Sequence, residues 1–305
     1  MKHPLQTTAL LIFLFVAAQV VGLSLVSLSQ DVTVSPTGER EVVARPTVLG
    51  ERPDAQGGES FLLIAIGVLI GTAIALALIR FGLFRIWRAW FFLAVWVALS
   101  IALGVLLPAA IAISAAAVLS AWKAFRPNPI VHNLTEILVY GGIAVLIAPL
   151  FDLWWAIALL LAVSVYDWIA VLRTGHMVTL AKAQADRNLF AGLYLPMGKV
   201  MTPSRQTIRA PAPPKASKDE GGAAVLGGGD IAFPLVLASV AQVWLIEARN
   251  LAPATALSAS LVVTLGATVA LATLFALAKK GRFYPAMPAL TAGCLAGLGA
   301  IALIL

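Results

Sequence analysis

A polytopic all-α membrane bundle of nine transmembrane helices is the fold this chain predicts, and three observations carry that expectation. Of its 305 residues, 61% are hydrophobic and only 11% are charged, with a mean hydropathy of +0.96. A water-soluble domain cannot hide that much apolar surface, so an integral membrane protein is implied. The apolar residues also gather into nine runs, roughly 8–28, 61–79, 89–107, 109–122, 131–150, 153–173, 230–247, 253–278 and 286–305. Finally, Lys and Arg sort by side. With the N-terminus inside, 17 of the 21 fall on the inner side, leaving Arg40, Arg45, Arg52 and Arg249 outside. The positive-inside rule then sets the N-terminus in the cytoplasm and the C-terminus outside the cell membrane. Because irregular backbone is not tolerated in lipid, each run is expected to be helical.

The first run follows Lys2. It is long for the apolar core of a signal peptide and has no clean small-residue cleavage site, so it reads as a span. Residues 29–60 are polar and read as a flexible external loop, in which 32–34 and 41–43 could pair as a short hairpin. The third and fourth runs meet at a tight turn at Pro108, and the fourth is short. The fifth carries Glu136 about two turns from its inner end, within snorkelling reach of the surface, and a structural or interfacial role is favoured over catalysis. The sixth ends in Tyr166-Asp167 and the inner-side Arg173. Residues 174–226 form a large inner loop, and its second half, PSRQTIRAPAPPKASKDEGGAA, has the composition of a disordered linker. The last three spans complete the chain. The organisation is therefore helices one to six in 1–173, a partly disordered cytoplasmic loop in 174–226, and helices seven to nine in 227–305, with no internal repeat and no second soluble domain.

Several function classes fall away. The net charge of +7 does not point to nucleic acid, because the charges follow membrane sidedness. Cys294 is the single cysteine, so neither a disulfide framework nor a cysteine-ligated cluster is available. His132 and His176 lie at inner interfaces with no third partner at ligand spacing, so neither a metal nor another cofactor is expected. Trp87, Trp90, Trp154, Trp155 and Trp244 lie near span ends and read as interface anchors. Asp152 and Glu247 read as solvated caps at the outer rim, and Gly293, Gly297 and Gly299 as sites of close helix packing.

Two acids remain inside spans, Asp167 in the sixth and Asp230 at the start of the seventh. A carboxylate at bilayer depth costs several kcal/mol, so each is a functional candidate by default. Asp167 lies about 10 Å from the inner end of its helix at 1.5 Å per residue. Asp230 starts the returning span, and Pro288-Ala289-Leu290 lies near the start of the ninth. All three features fall in the inner third of the membrane. Two carboxylates close together in low dielectric cannot both ionise; they share one proton and titrate as a unit. The ionised member can take a proton from water while the protonated member donates to a carbonyl oxygen. Gly227, Gly228 and Gly229 lack side chains, which lets backbone approach a substrate and adopt unusual dihedrals. Pro288 lacks an amide hydrogen and is expected to disturb the start of its helix. Exposed backbone there can pair with an extended substrate strand.

At these residues the chain resembles the presenilin family of intramembrane aspartyl proteases, in its microbial single-chain form. The family carries YD in its sixth helix, GxGD in its seventh and PAL at its ninth. Here these are Tyr166-Asp167, Gly227-Gly228-Gly229-Asp230 and Pro288-Ala289-Leu290, and the run from Ala183 to Asn188 resembles the stretch that follows YD. The motifs cover the second half of the chain; the first five helices match in number and direction. The resemblance implies a GxGD-type aspartic endopeptidase, with Asp167 and Asp230 catalytic and Gly227–Gly229, Pro288, Ala289, Leu290 and Tyr166 positioning substrate. Gly228 departs from the family's usual leucine, at a position that tunes substrate choice there. Signal peptide peptidases share the motifs in the opposite orientation, and the arginine count gives the presenilin one. Substrates are then single-span proteins with their N-termini outside, met in the lipid bilayer; a homo-oligomer is left open. The rival readings are a proton-coupled secondary transporter using the carboxylate pair, a prepilin-type peptidase and a non-enzymatic membrane chaperone.

Overall fold

The computed structural model describes residues 5–126, 128–173, 190–196, 223–278 and 284–304. Nine helices appear among them: α1 (Leu5–Leu28), α2 (Gly58–Arg80), α3 (Phe84–Gly104), α4 (Ala109–Phe125), α5 (Pro129–Ile147), α6 (Leu153–Leu172), α7 (Gly228–Glu247), α8 (Pro253–Leu277) and α9 (Met287–Ile304). Eight are long and apolar enough to cross a membrane; α4, with 17 residues, is shorter. At 1.5 Å per residue α4 still reaches about 26 Å. The nine-helix expectation is borne out, and each helix starts within a few residues of its apolar run.

Local chemistry explains several of these starts. Asn128 caps α5 by accepting from the Ile130 and Val131 amides at 2.9 and 3.3 Å, with Pro129 in the first turn, where its missing N–H costs nothing. Asp152 caps α6 through the Trp155 amide at 2.9 Å, so its carboxylate is a helix cap as expected.

α7 is the central helix. It packs on α1, α5, α6, α8 and α9, and 67% of its membrane window is buried, the largest share of any span. α2 is the opposite case: only 6% of its window is buried, so its apolar side chains face lipid. Trp87 departs from the sequence reading. It is 5% exposed and packs against Leu78 of α2, because the tight turn at Gly82 folds α3 back onto its neighbour.

Two antiparallel hairpins flank the bundle. At one end, β1 (Gln30–Val34) pairs with β2 (Arg40–Ala44), placing Val32 opposite Val42. This hairpin is latched to the outer end of α7: the Val42 amide donates to Glu247 at 3.1 Å, and Arg40 donates to the Asn250 carbonyl. Glu247 is thus a strap for the hairpin as well as a rim residue. At the other end of α7, β3 (Gly192–Pro196) pairs with β4 (Ala223–Gly227), which runs directly into that helix. This second hairpin has no counterpart in the sequence reading. Its strands are five residues each and separated by 197–222, which lies outside the described residues, as do His176 and the run 183–188; the linker-like stretch 203–224 thus ends inside β4, at Ala223 and Ala224.

Arg45 and Asp31 form an exposed ion pair on the outer hairpin at 2.6 Å. The guanidinium holds the Asp31 carboxyl below its ordinary range. A lowered value means that the contribution is complete above the ordinary range and is lost as pH falls through the lowered one. Since both groups face water, that contribution is heavily screened. Asp31→Asn is therefore expected to leave the thermal unfolding midpoint at neutral pH unchanged, and a large drop would show that the pair braces the hairpin.

Candidate active site

The site is built where α6, α7 and α9 meet. Asp167 lies five residues before the end of α6 and is 8% exposed. It accepts a hydrogen bond from the Met287 amide, the first residue of α9, at 3.2 Å. Helix N-termini leave their first amides unpaired, so α9 offers this donor without breaking a helical bond. Pro288, the second residue of α9, also lies where no amide is needed. It therefore starts this helix and does not disturb it as the sequence suggested. Ala289 is partly buried, and Leu290 is fully buried and donates its amide to Ala286.

Asp230 is the third residue of α7. Its carboxylate lies beside Gly227, the N-cap of the same helix, where a Cβ on that glycine would come within 3.1 Å of Oδ2. α6 and α7 pack side by side, and the carboxylates are near enough for the charge of Asp167 to act on Asp230. Thus both predicted aspartates and the start of the PAL segment converge. Tyr166 points elsewhere, donating to Thr72 of α2 at 3.3 Å.

The three glycines have different surroundings, and none has a positive φ, so unusual dihedrals are not their reason. A side chain on Gly227 would sit 3.1 Å from Asp230 Oδ2. A Cβ on Gly228 would come within 2.7 Å of the Tyr140 hydroxyl and 3.2 Å of its ring. Gly229 is exposed, and a Cβ there meets only Phe233 at ordinary contact distance, 3.6 Å. Gly228→Leu is therefore expected to destabilise the protein by about 1–3 kcal/mol through overpacking against Tyr140. Gly229→Ala should be neutral. Thermal unfolding of the two variants in detergent checks the contrast.

Other residues at the site had no place in the sequence reading. Pro234 has no N–H with which to close the helical bond to the Asp230 carbonyl, and Gln19 of α1 donates to the neighbouring Ile231 carbonyl at 2.9 Å. Glu136 is not snorkelling to the surface. It is 1% exposed, ion-paired with Lys123 of α4, and accepts from the Tyr140 hydroxyl and from the Gly192 amide at 3.0 Å. The tight α4–α5 turn brings Lys123 against α5, so the charge finds a partner inside. His132 contacts the Gly192 carbonyl at 2.7 Å, and Asn133 exchanges two hydrogen bonds with the backbone of Tyr194 at 2.7 and 2.9 Å. α5 side chains thereby occupy the outer edge of β3. The alternation of an antiparallel ladder turns the backbone groups of Val225 and Gly227 in β4 away from β3. Among the described residues no group of three or more His, Cys, Asp or Glu is placed to hold a metal.

The sequence model of the family signal-peptide peptidase, presenilin aspartyl protease matches residues 56–304. Two solved structures resemble the chain over nearly its whole length. Both are of a presenilin family intramembrane aspartate protease, one in space group C222 and one in P2. The first has a TM-score of 0.62 at 20% identity, covering 98% of this chain and 99% of its own. The second has a TM-score of 0.61 at 20% identity, with 97% of each chain covered. At that identity the likeness establishes a common fold. Among curated proteins, none matches the chain in sequence.

Proposed function

The chain belongs to the signal-peptide peptidase, presenilin aspartyl protease family, and from that premise we propose that it hydrolyses peptide bonds within or next to the transmembrane segments of single-span proteins. Asp167 and Asp230 are the water-activating pair. One is ionised and takes a proton from water; the other is protonated and donates to the scissile carbonyl oxygen. The observation that carries this reading is the convergence of two intramembrane carboxylates on adjacent helices, one of them oriented by a backbone amide of α9. The Met287 amide fixes the direction of the Asp167 carboxylate.

A helical substrate must unwind before its peptide bond is open to attack. Among the described residues no strand pairs with the far edge of β4, which ends three residues before Asp230 and offers backbone groups to an unwound segment. The opposite edge of this hairpin is already taken by His132, Asn133 and Glu136, so addition at β4 delivers the strand on the α7 side. The distribution of Lys and Arg supports a cytoplasmic N-terminus, an outer C-terminus and substrates with their N-termini outside.

The test uses purified protein in detergent with a single-span reporter peptide. Cleavage is expected, together with inhibition by a transition-state analogue of aspartic proteases. Proton-driven solute uptake by reconstituted vesicles, with no cleavage of the reporter, would overturn the assignment.

A further inference from the structure

The buried ion pair between Lys123 and Glu136 has no part in the chemistry above, and burying it in a membrane protein is costly. Lys123 is 3% exposed and Glu136 1%. Desolvating two charges usually costs as much as their attraction returns, and apolar residues of similar volume often serve stability as well or better. Stability alone therefore does not account for the pair, whereas its neighbours give it a geometric role.

One carboxylate oxygen of Glu136 meets Lys123; the other accepts from both the Tyr140 hydroxyl and the Gly192 amide. The Tyr140 hydroxyl lies against Gly228, two residues before Asp230. Gly192 has a φ of 145° and is tied on its other side by His132, while the Gly228 amide donates to the Ala191 carbonyl at 3.2 Å. Glu136 thus grips the first turn of α7 from two directions, through the ring of Tyr140 and through β3. It is a four-element junction of α4, α5, β3 and α7.

We propose that Glu136, paired with Lys123, is a positioning residue that sets where Asp230 stands relative to Asp167. The proposal rests on the protease reading for its kinetic consequence but not for its geometry. Tyr140 transmits the position, and Lys123 keeps the carboxylate directed at Tyr140 and Gly192. A carboxylate is suited to this because one group must accept from three donors on three elements, which neither an amide nor a hydroxyl can do.

The experiment compares wild type with Glu136→Gln, Tyr140→Phe and the paired apolar variant Lys123→Met with Glu136→Leu. Three measurements are made in detergent: thermal unfolding, amide hydrogen exchange over 190–196 and 223–231, and reporter cleavage. The paired variant removes both charges and is expected to stay folded, with an unfolding midpoint at or above that of wild type. Exchange in the two segments should nevertheless rise by at least about tenfold, a rate ratio well outside an unchanged local opening equilibrium. Turnover should fall by up to about 100-fold, the scale set by a misplacement near 1 Å, while KM holds. Tyr140→Phe should lower turnover at unchanged stability, and Glu136→Gln should fall between the two.

Wild-type exchange and wild-type turnover in a folded paired variant would overturn the proposal, as would a change in KM alone. If wild type does not cleave the reporter, the protease reading fails and exchange decides the positional claim by itself. If the paired variant does not fold, Tyr140→Phe decides it, because that change removes one hydroxyl and no charge.

Discussion

Asp167→Ala and Asp230→Ala should each abolish reporter cleavage, with turnover falling by about 10²–10⁴-fold or more, the range of a single general acid or base. The effects should not add. A pair that shares one proton acts as a unit, so the double variant should be no worse than either single one. The cleavage rate should also rise and then fall with pH, since the active form holds one proton on two carboxylates. The fully protonated form lacks a base and the fully ionised form lacks an acid. Replacement by alanine removes a desolvated group, so thermal stability should hold or improve, which separates loss of chemistry from loss of fold. Full cleavage by either variant would end the pair's assignment.

These two aspartates were legible in the sequence for a physical reason: ionisable residues are rare in apolar runs, so each stands out. The helices were legible because lipid allows almost no other backbone, and a short β-branched pattern marked the outer hairpin but not its register, which sets Val32 opposite Val42. What stayed hidden depends on contacts between elements. Lys123 counted only as an inner-side charge, and Glu136 looked free to reach the surface. Nothing local in either run says that they face each other across the α4–α5 turn. An opposite-charge pair bracketing Asn128-Pro129 was the available signal. The hairpin of β3 and β4 was hidden because its outer partners are side chains of a helix, His132, Asn133 and Glu136. A pairing between a strand and helical side chains leaves no periodicity to read. Trp87 was misplaced for the same kind of reason: amphipathic aromatics favour the interface, but the turn at Gly82 folded this one inward.

Gly266→Val is expected to cost more activity than its distance from the aspartates suggests. In α8, a Cβ on Gly266 would overlap the Gly293 carbonyl of α9 and approach the Gly297 amide at 3.2 Å. Both neighbours are backbone, so neither can move aside as a side chain would. The two helices must separate, at a cost of about 1–3 kcal/mol for overpacking. α9 is the helix whose first amide holds Asp167, so separating it from α8 shifts Met287 and the Pro288–Leu290 segment together. A displacement near 1 Å at Asp167 would lower turnover by about 100-fold. The control is Gly299→Val on the same helix, where a new Cβ meets nothing within 4 Å. It should keep both stability and cleavage. Equal loss in both variants would mean that the α8–α9 pair is generally intolerant of added bulk, whether or not the new side chain meets the neighbouring helix. Loss of stability in Gly266→Val with turnover intact would mean that the α9 amide is not what orients Asp167.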